Sequence, residues 1–234
     1  WEGIGIKRIY NMENTTINDF FDQVYLVNLK RRPDKLKVCQ QLFAKLNIKY
    51  KITKAVDFCD GIPEDYPTKP IEGSFLGTRA PGAWGCYQSH LEIIKDAKKN
   101  NYDKILILED DVAADDNFVS LFSQKVKDLP EDWKLFYLGA SAHTGIPKKK
   151  VTDHISQTFE SFTTSSYGIH SSIYDKILES ENAADKTIDL FLVKDIQSTY
   201  PCYVVTPTIM WQAPGFSDIQ QKHLNYTGFM KNIS

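Results

Sequence analysis

No apolar run in these 234 residues approaches the about 18 that a membrane-crossing helix needs. The four cysteines, Cys39, Cys59, Cys86 and Cys202, are widely spaced and form no CxxC pair, so a zinc site is not expected. Cys39 and Cys86 fall in stretches that read as core helix faces, where a thiol serves as a small hydrophobe. A single disulfide is left open. No GxGxxG or GxSxG occurs. Gly77 to Gly82 has the Walker A spacing, but Ala83 and Trp84 stand where Lys and Ser/Thr belong. Dinucleotide-fingerprint, P-loop and nucleophile-elbow readings therefore have no support. Charge of one sign is lacking too: 28 basic against 30 acidic residues gives a net −2, which points to neither nucleic acid nor an anionic membrane. There is no internal repeat and no low-complexity tract. The first residue is Trp1, so the expectation is a segment of something longer, with any signal or anchor outside it.

An apolar share of 42% beside 25% charged residues is that of a globular domain with a sizeable core. The elements read in order. Residues 1–22 form an N-terminal arm, and Gln23–Leu29 is a strand rich in β-formers. Pro33 opens a helix at a favourable first-turn position, with Leu36, Cys39, Leu42, Phe43 and Leu46 as its apolar stripe. Lys49–Val56 is a second strand, and 57–81, rich in Pro and Gly, is a long loop. Helices are predicted over Gly82–Asn100 and Asp115–Leu129, around a strand at Asp103–Leu108. A strand at Leu135–Gly139, short helices at Ser171–Ser180 and Lys186–Lys194, and a late strand at Cys202–Pro207 follow. Strand and helix alternate through the first half. The predicted fold is thus a single α/β domain over 23–220, with a mostly parallel central sheet, helices on both faces and an irregular C-terminal third. Residues 221–234 read as a tail.

Chemistry concentrates in Ile105-Leu106-Ile107-Leu108-Glu109-Asp110-Asp111-Val112, a buried strand that runs out into three acids. Acids at a strand exit are solvated, paired or hold a cation, and hard oxygen ligands suit Mg²⁺ or Mn²⁺. Asn28 to Arg32 and Asp57 to Asp60 lie at equivalent strand exits. Ligands of parallel sheets bind beyond the carboxyl ends of the strands, so these three distant clusters are expected to converge. Arg31 and Arg32, beside a helix N-terminus, either hold phosphates or solvate the turn. In Gly82-Ala83-Trp84-Gly85-Cys86-Tyr87-Gln88-Ser89-His90 the glycines admit close backbone approach, and Ser89 and His90 add polar groups one turn on. A histidine so placed is either a hydrogen-bonded core residue or a ligand.

Taken together, VYLVNLKRRPDKL (24–36), AVDFCDG (55–61), GAWGCYQSH (82–90), ILILEDDV (105–112), WKLFYLG (133–139), SYGIHSSIYDKIL (166–178), IDLFL (188–192) and FSDI (216–219) resemble glycosyltransferase family 25. That family includes lipopolysaccharide sugar transferases and collagen galactosyltransferases. The resemblance implies a GT-A-like fold, a UDP-sugar donor carrying galactose or glucose, a divalent ion (Mn²⁺, or Mg²⁺) and inversion at the anomeric carbon. It implies metal ligation by Asp111 with Asp110 or Glu109, with Asp218 and His223 as further candidate ligands. It implies donor contacts at Asn28, Leu29, Arg31, Asp57, Ser89, His90 and Asp110. Asp189, in an acidic segment matching V-D-x-x-L, is the expected base for the acceptor hydroxyl; the plain alternative is a helix cap. It implies a glycan or a collagen-like peptide as acceptor. One departure stands out: the family commonly has Gly-Glu-x-Gly-Cys, and here Ala83 replaces the acid.

Rival readings are a receiver-type phosphorylation switch, a metal-dependent nucleotidyltransferase, and a binding module that keeps the fold without turnover. Receiver domains are about half this length and draw their acids from separate strands. The sequons at Asn14, Asn225 and Asn232 matter only in a secretory compartment, so cytoplasm and lumen both fit. Oligomeric state is not legible.

Overall fold

The structure, a computed structural model, describes residues 14–61, 72, 81–141, 148–181 and 185–231. A turn of helix, α1 (Ile17–Phe20), opens on a capping box in which Thr16 and Asp19 satisfy each other's backbone N–H. It leads into β1 (Gln23–Asn28), α2 (Pro33–Lys45), β2 (Lys51–Lys54), α3 (Pro81–Lys99) and β3 (Lys104–Glu109). A short β4 (Val112–Ala114) and α4 (Phe118–Lys125) come next, then β5 (Leu135–Tyr137), β6 (Lys149–Lys150), β7 (Ile155–Gln157) and β8 (Ser166–His170). The chain closes with α5 (Tyr174–Leu178), α6 (Ile188–Phe191), β9 (Cys202–Val205), β10 (Met210–Gln212), β11 (Gly215–Ser217), β12 (Lys222–Leu224) and α7 (Thr227–Lys231). Most of the loop expected over 57–81 lies outside the described residues.

Eight strands form one sheet in the order β2-β1-β3-β8-β5-β9-β7-β6. The single α/β domain is the architecture expected. Its pairing is mixed: β1–β2, β1–β3 and β5–β9 are parallel, while β8 lies antiparallel between β3 and β5, and β7 antiparallel to β9. Long helices intervene between the parallel strands β1, β2 and β3, and the helical connection that carries α5 and α6 brings β9 in parallel to β5. Strands β8 and β7, reached among the described residues through connections without an α-helix, pair antiparallel.

Both faces of the sheet are covered, so β1 and β3 are apolar through their four central residues instead of alternating. Tyr25, Val27, Ile105 and Ile107 point into one core with Tyr87, Leu91 and Ile94 of α3 and with Ile177 and Phe191. Val24, Leu26, Leu106 and Leu108 point into the other with Phe43 of α2, Phe118 and Phe122 of α4, and Trp133. The second core also takes Ile17 and Phe21, from the stretch read as an arm. Gly168 in β8 makes that possible: a Cβ there would lie 2.6 Å from the Phe21 ring. Burying a Leu- or Phe-sized side chain contributes about 1.5–3 kcal/mol, so two such layers supply ample driving force.

Candidate active site

β1, β2 and β3 run parallel, so their carboxyl ends share one edge, and the three polar clusters meet there around a cavity of about 340 Å³. Leu29, Arg31, Asp57, Ser89, Glu109, Asp110, Asp111 and Asp218 all line it. The α3 motif explains how the second cluster is held. Gly85 leaves room for the β2 exit loop: a Cβ would fall 2.6 Å from the Val56 carbonyl oxygen and 2.9 Å from the Phe58 ring. Ser89 Oγ then donates to the Gly85 carbonyl (2.6 Å) and accepts from Val56 N–H (2.9 Å). Asp57, the next residue, is thereby fixed where it accepts from Arg31 Nε at 2.8 Å. Gly82 likewise lets Ile219 approach, with its Cα 3.0 Å from a would-be Cβ.

One wall, from the N-terminal end of α2, is cationic. Arg31 bridges Asp57 and Asp218, reaching the latter at 2.5 Å, and Arg32 also pairs with Asp218 and with Asp34. Burial works to raise the Asp218 pKa, but the two arginines outweigh it and hold the carboxyl below its usual range. Lys35 Nζ sits 3.3 Å from Asp110, 3.7 Å from Asp218 and 3.9 Å from Asp111. Asn28 is buried just behind and donates from Nδ2 to Asp110 Oδ2 at 2.8 Å.

The three acids at the β3 exit have three different environments. Asp110 is pushed up by burial despite Lys35 and Asn28. Asp111 is pushed up to about 7, by burial first and then by the neighbouring Glu109 charge. Its Oδ2 accepts from Gln212 of β10 (2.8 Å), while its buried Oδ1 has no hydrogen-bond partner. Glu109 goes the other way. Burial would raise it, but the His90 ring, 3.3 Å away, and the Thr164 hydroxyl, donating at 2.6 Å, hold it below its usual value. A divalent cation fits Asp110 and Asp111: a buried carboxylate oxygen of Asp111 has no hydrogen-bond partner, and an ammonium already stands among the acids.

Three expected site residues stand off this wall. His90 is fully buried behind Glu109, its Nδ1 2.8 Å from the Tyr167 hydroxyl, so its reach to the cavity is indirect. Asp189 lies in the first turn of α6, where Oδ1 accepts from Thr187 Oγ1 (2.6 Å) and Leu190 N–H (2.9 Å). Its charge is near enough to raise the Cys86 thiol, after burial and Glu109. His223 is exposed on β12 with its ring against Phe216, centroids 5.6 Å apart. Lys35, Gln212 and Tyr167 went unread in the sequence. Lys35 had a signal, being one turn into a helix whose start abuts the site; Gln212 and Tyr167 had none. A second cavity of about 180 Å³ shares Lys35, Asp110, Asp111 and Gln212 as a common partition and is otherwise framed by α2 and the β10–β11 segment.

The sequence model of glycosyltransferase family 25 (LPS biosynthesis protein) matches residues 21–209. Procollagen galactosyltransferase 2 of Mus musculus is 28% identical over 137 residues, covering 51% of this chain and 21% of that protein. Inactive glycosyltransferase 25 family member 3 of Homo sapiens is 25% identical over 137 residues, covering 51% and 22%. This chain thus spans about a fifth of the length of the curated relatives it matches. Among solved structures, a glycosyltransferase involved in glycosylation of the major capsid of PBCV-1 superposes with TM-score 0.35 at 9% identity, over 66% of this chain and 62% of that one.

Proposed function

We propose that this chain, which belongs to glycosyltransferase family 25, moves a hexose from a UDP-sugar to a hydroxyl acceptor with inversion. The observation that carries the reading is the convergence of Arg31, Asp57 and Glu109–Asp111 on one cavity at the sheet's carboxyl edge. The apolar side chains of Val27, Leu29 and Phe58 offer a surface for a base, and Arg31 a fork for phosphate or ribose oxygens. Asp110 and Asp111 are the residues to hold Mn²⁺ or Mg²⁺, which when bound neutralises charge on the leaving diphosphate. Lys35, already paired to both acids, keeps that corner cationic. Asp218 fixes the two arginines and so shapes the donor wall.

Asp189 is the proposed base. Thr187 orients one carboxylate oxygen, and Oδ2 takes the acceptor's proton as the hydroxyl attacks the anomeric carbon from the side opposite the diphosphate. The acceptor is a glycan or collagen-like hydroxyl, in keeping with the procollagen galactosyltransferases among the relatives. A second reading, a donor-binding module without turnover, is favoured by the inactive relative over a similar length and by Ala83 in the α3 motif. Calorimetric titration of UDP with Mn²⁺ and with chelator tests the donor site. Mn²⁺-dependent binding is expected; absence of binding in both conditions would sink both readings. Binding without turnover for UDP-galactose or UDP-glucose, over a panel of glycan and hydroxylysine acceptors, would select the second.

A further inference from the structure

Cys86 and His90 stand one turn apart on the same face of α3, and Glu109 ends the neighbouring β3. The ligand atoms of the three lie within 4.8 Å of one another. His90 Nε2 is buried, and its contact with Glu109 Oε1 at 3.3 Å falls short of hydrogen-bond geometry. A buried ring nitrogen left that way costs free energy, and the spacing has another meaning. In tetrahedral zinc sites, with Zn–N and Zn–O near 2.0–2.2 Å, the edge between two such ligands is about 3.4 Å. We propose that Cys86, His90 and Glu109 form a binding site for a thiophilic divalent ion of the zinc class, separate from the Asp110–Asp111 pair.

The surroundings are those of a supported metal site. Tyr167 holds the ring through Nδ1 at 2.8 Å, which leaves Nε2 as the ligand, and Thr164 fixes Glu109 at 2.6 Å. Cys86 and Glu109 line the cavity while His90 closes the back, so the ion has an entry path and an open fourth position facing the cavity. A thiolate with an imidazole prefers Zn²⁺ or Co²⁺ over Mn²⁺ and Mg²⁺, whereas the all-oxygen aspartate pair has the reverse preference. The two sites would therefore sort ions by softness. Binding breaks the Cys86 S–H bond and forms a metal–sulfur bond, the proton leaving to solvent. The absence of a CxxC pair hid this site, because its ligands come from a helix turn and a strand end.

The test uses the whole chain, stripped with chelator and titrated with Co²⁺ in the absence of any nucleotide, so it is independent of the transferase reading. A thiolate-to-cobalt charge-transfer band that Zn²⁺ abolishes is expected. Cys86→Ser should lose the band and weaken Zn²⁺ binding about 10- to 100-fold; Asp111→Asn should keep it. In the unaltered chain, Zn²⁺ should also protect Cys86, located by mass spectrometry, from a thiol-alkylating reagent. That measurement stands even where a variant fails to fold. No charge-transfer band with excess Co²⁺, a band that persists in Cys86→Ser, or no protection of Cys86 would each overturn the site.

Discussion

The two walls of the cavity settle their charges by opposite means. On the α2 side, Arg31, Arg32 and Lys35 neutralise Asp57, Asp110 and Asp218 through a continuous set of ion pairs. On the α3 side, among the described residues, the one ion contact of Glu109 is the ring of His90; the Thr164 hydroxyl donates to it and the Cys86 thiol lies nearby. The first wall carries its charges already compensated. The second holds a carboxylate, an imidazole and a thiol close together with, among the described residues, no lysine or arginine ion-paired to them, an arrangement suited to protons or a soft cation. On the proposed function, donor recognition falls to the α2 side and proton handling to the side of Cys86 and Asp189.

The largest effect that would break this division is at Asp189. Replacement by Asn keeps the shape and the contact with Thr187 but removes the proton acceptor. Turnover should fall about 10²–10⁴-fold, with Mn²⁺-linked UDP affinity unchanged by calorimetry. Unchanged turnover would return Asp189 to the role of a helix-start residue. Loss of UDP affinity would place it on the donor wall and erase the contrast.

Glu109 and Asp111, two residues apart, sharpen the comparison through pH. Asp111 has a folded pKa raised from 3.8 to about 7, so the folded state binds the extra proton in that window. Its favourable contribution is therefore present at low pH and lost as pH rises through about 7. Glu109 is depressed below 4.5, so its contribution is present above that pH and lost as pH falls through the lower folded value. In chelator, Asp111→Asn should gain stability relative to the parent between pH 4 and 7, by up to a few kcal/mol at about 1.4 kcal/mol per unit. Glu109→Gln should lose stability relative to the parent above pH 4.5 and converge with it in acid. Denaturant melts at stepped pH read both slopes; slopes of the same sign would mean the two acids share one environment.

Which parts were legible follows from what sequence encodes locally. β1, α2, α3 and β3 could be read because each carries a complete pattern: an uninterrupted apolar run, or a stripe behind Pro33. The meeting of Asp57 with Arg31 was predictable from parallel order alone. β8 was not legible as a strand. Ser166-Tyr167-Gly168-Ile169-His170 is polar and interrupted by glycine, and only insertion between β3 and β5 buries it. That strand reverses the sheet and supplies Tyr167 behind His90, so the support of His90 was not legible although the α3 motif itself was. Gln212 reaches Asp111 through the β4–β10 pairing, a contact separated by 101 positions. The α2 wall was written in consecutive letters; the α3 wall depends on long-range packing.

The smallest of these effects tests the cationic wall. Arg31 presents Nε to Asp57 and an NH group to Asp218, so its fork is already oriented when a donor arrives. Truncation to Ala removes charge-assisted hydrogen bonds worth about 1.5–3 kcal/mol, so UDP affinity should fall about 10- to 100-fold. Asp218 keeps Arg32 and Lys35, so the fold should persist. Arg31→Lys separates charge from geometry. An ammonium keeps the sign of the wall but cannot bridge two carboxylates in plane, so its affinity should fall between parent and Ala. Lys equal to parent would mean that only the charge of this wall counts. Ala equal to parent would reduce Arg31 to a solvated turn and leave Lys35 as the cation that meets the donor.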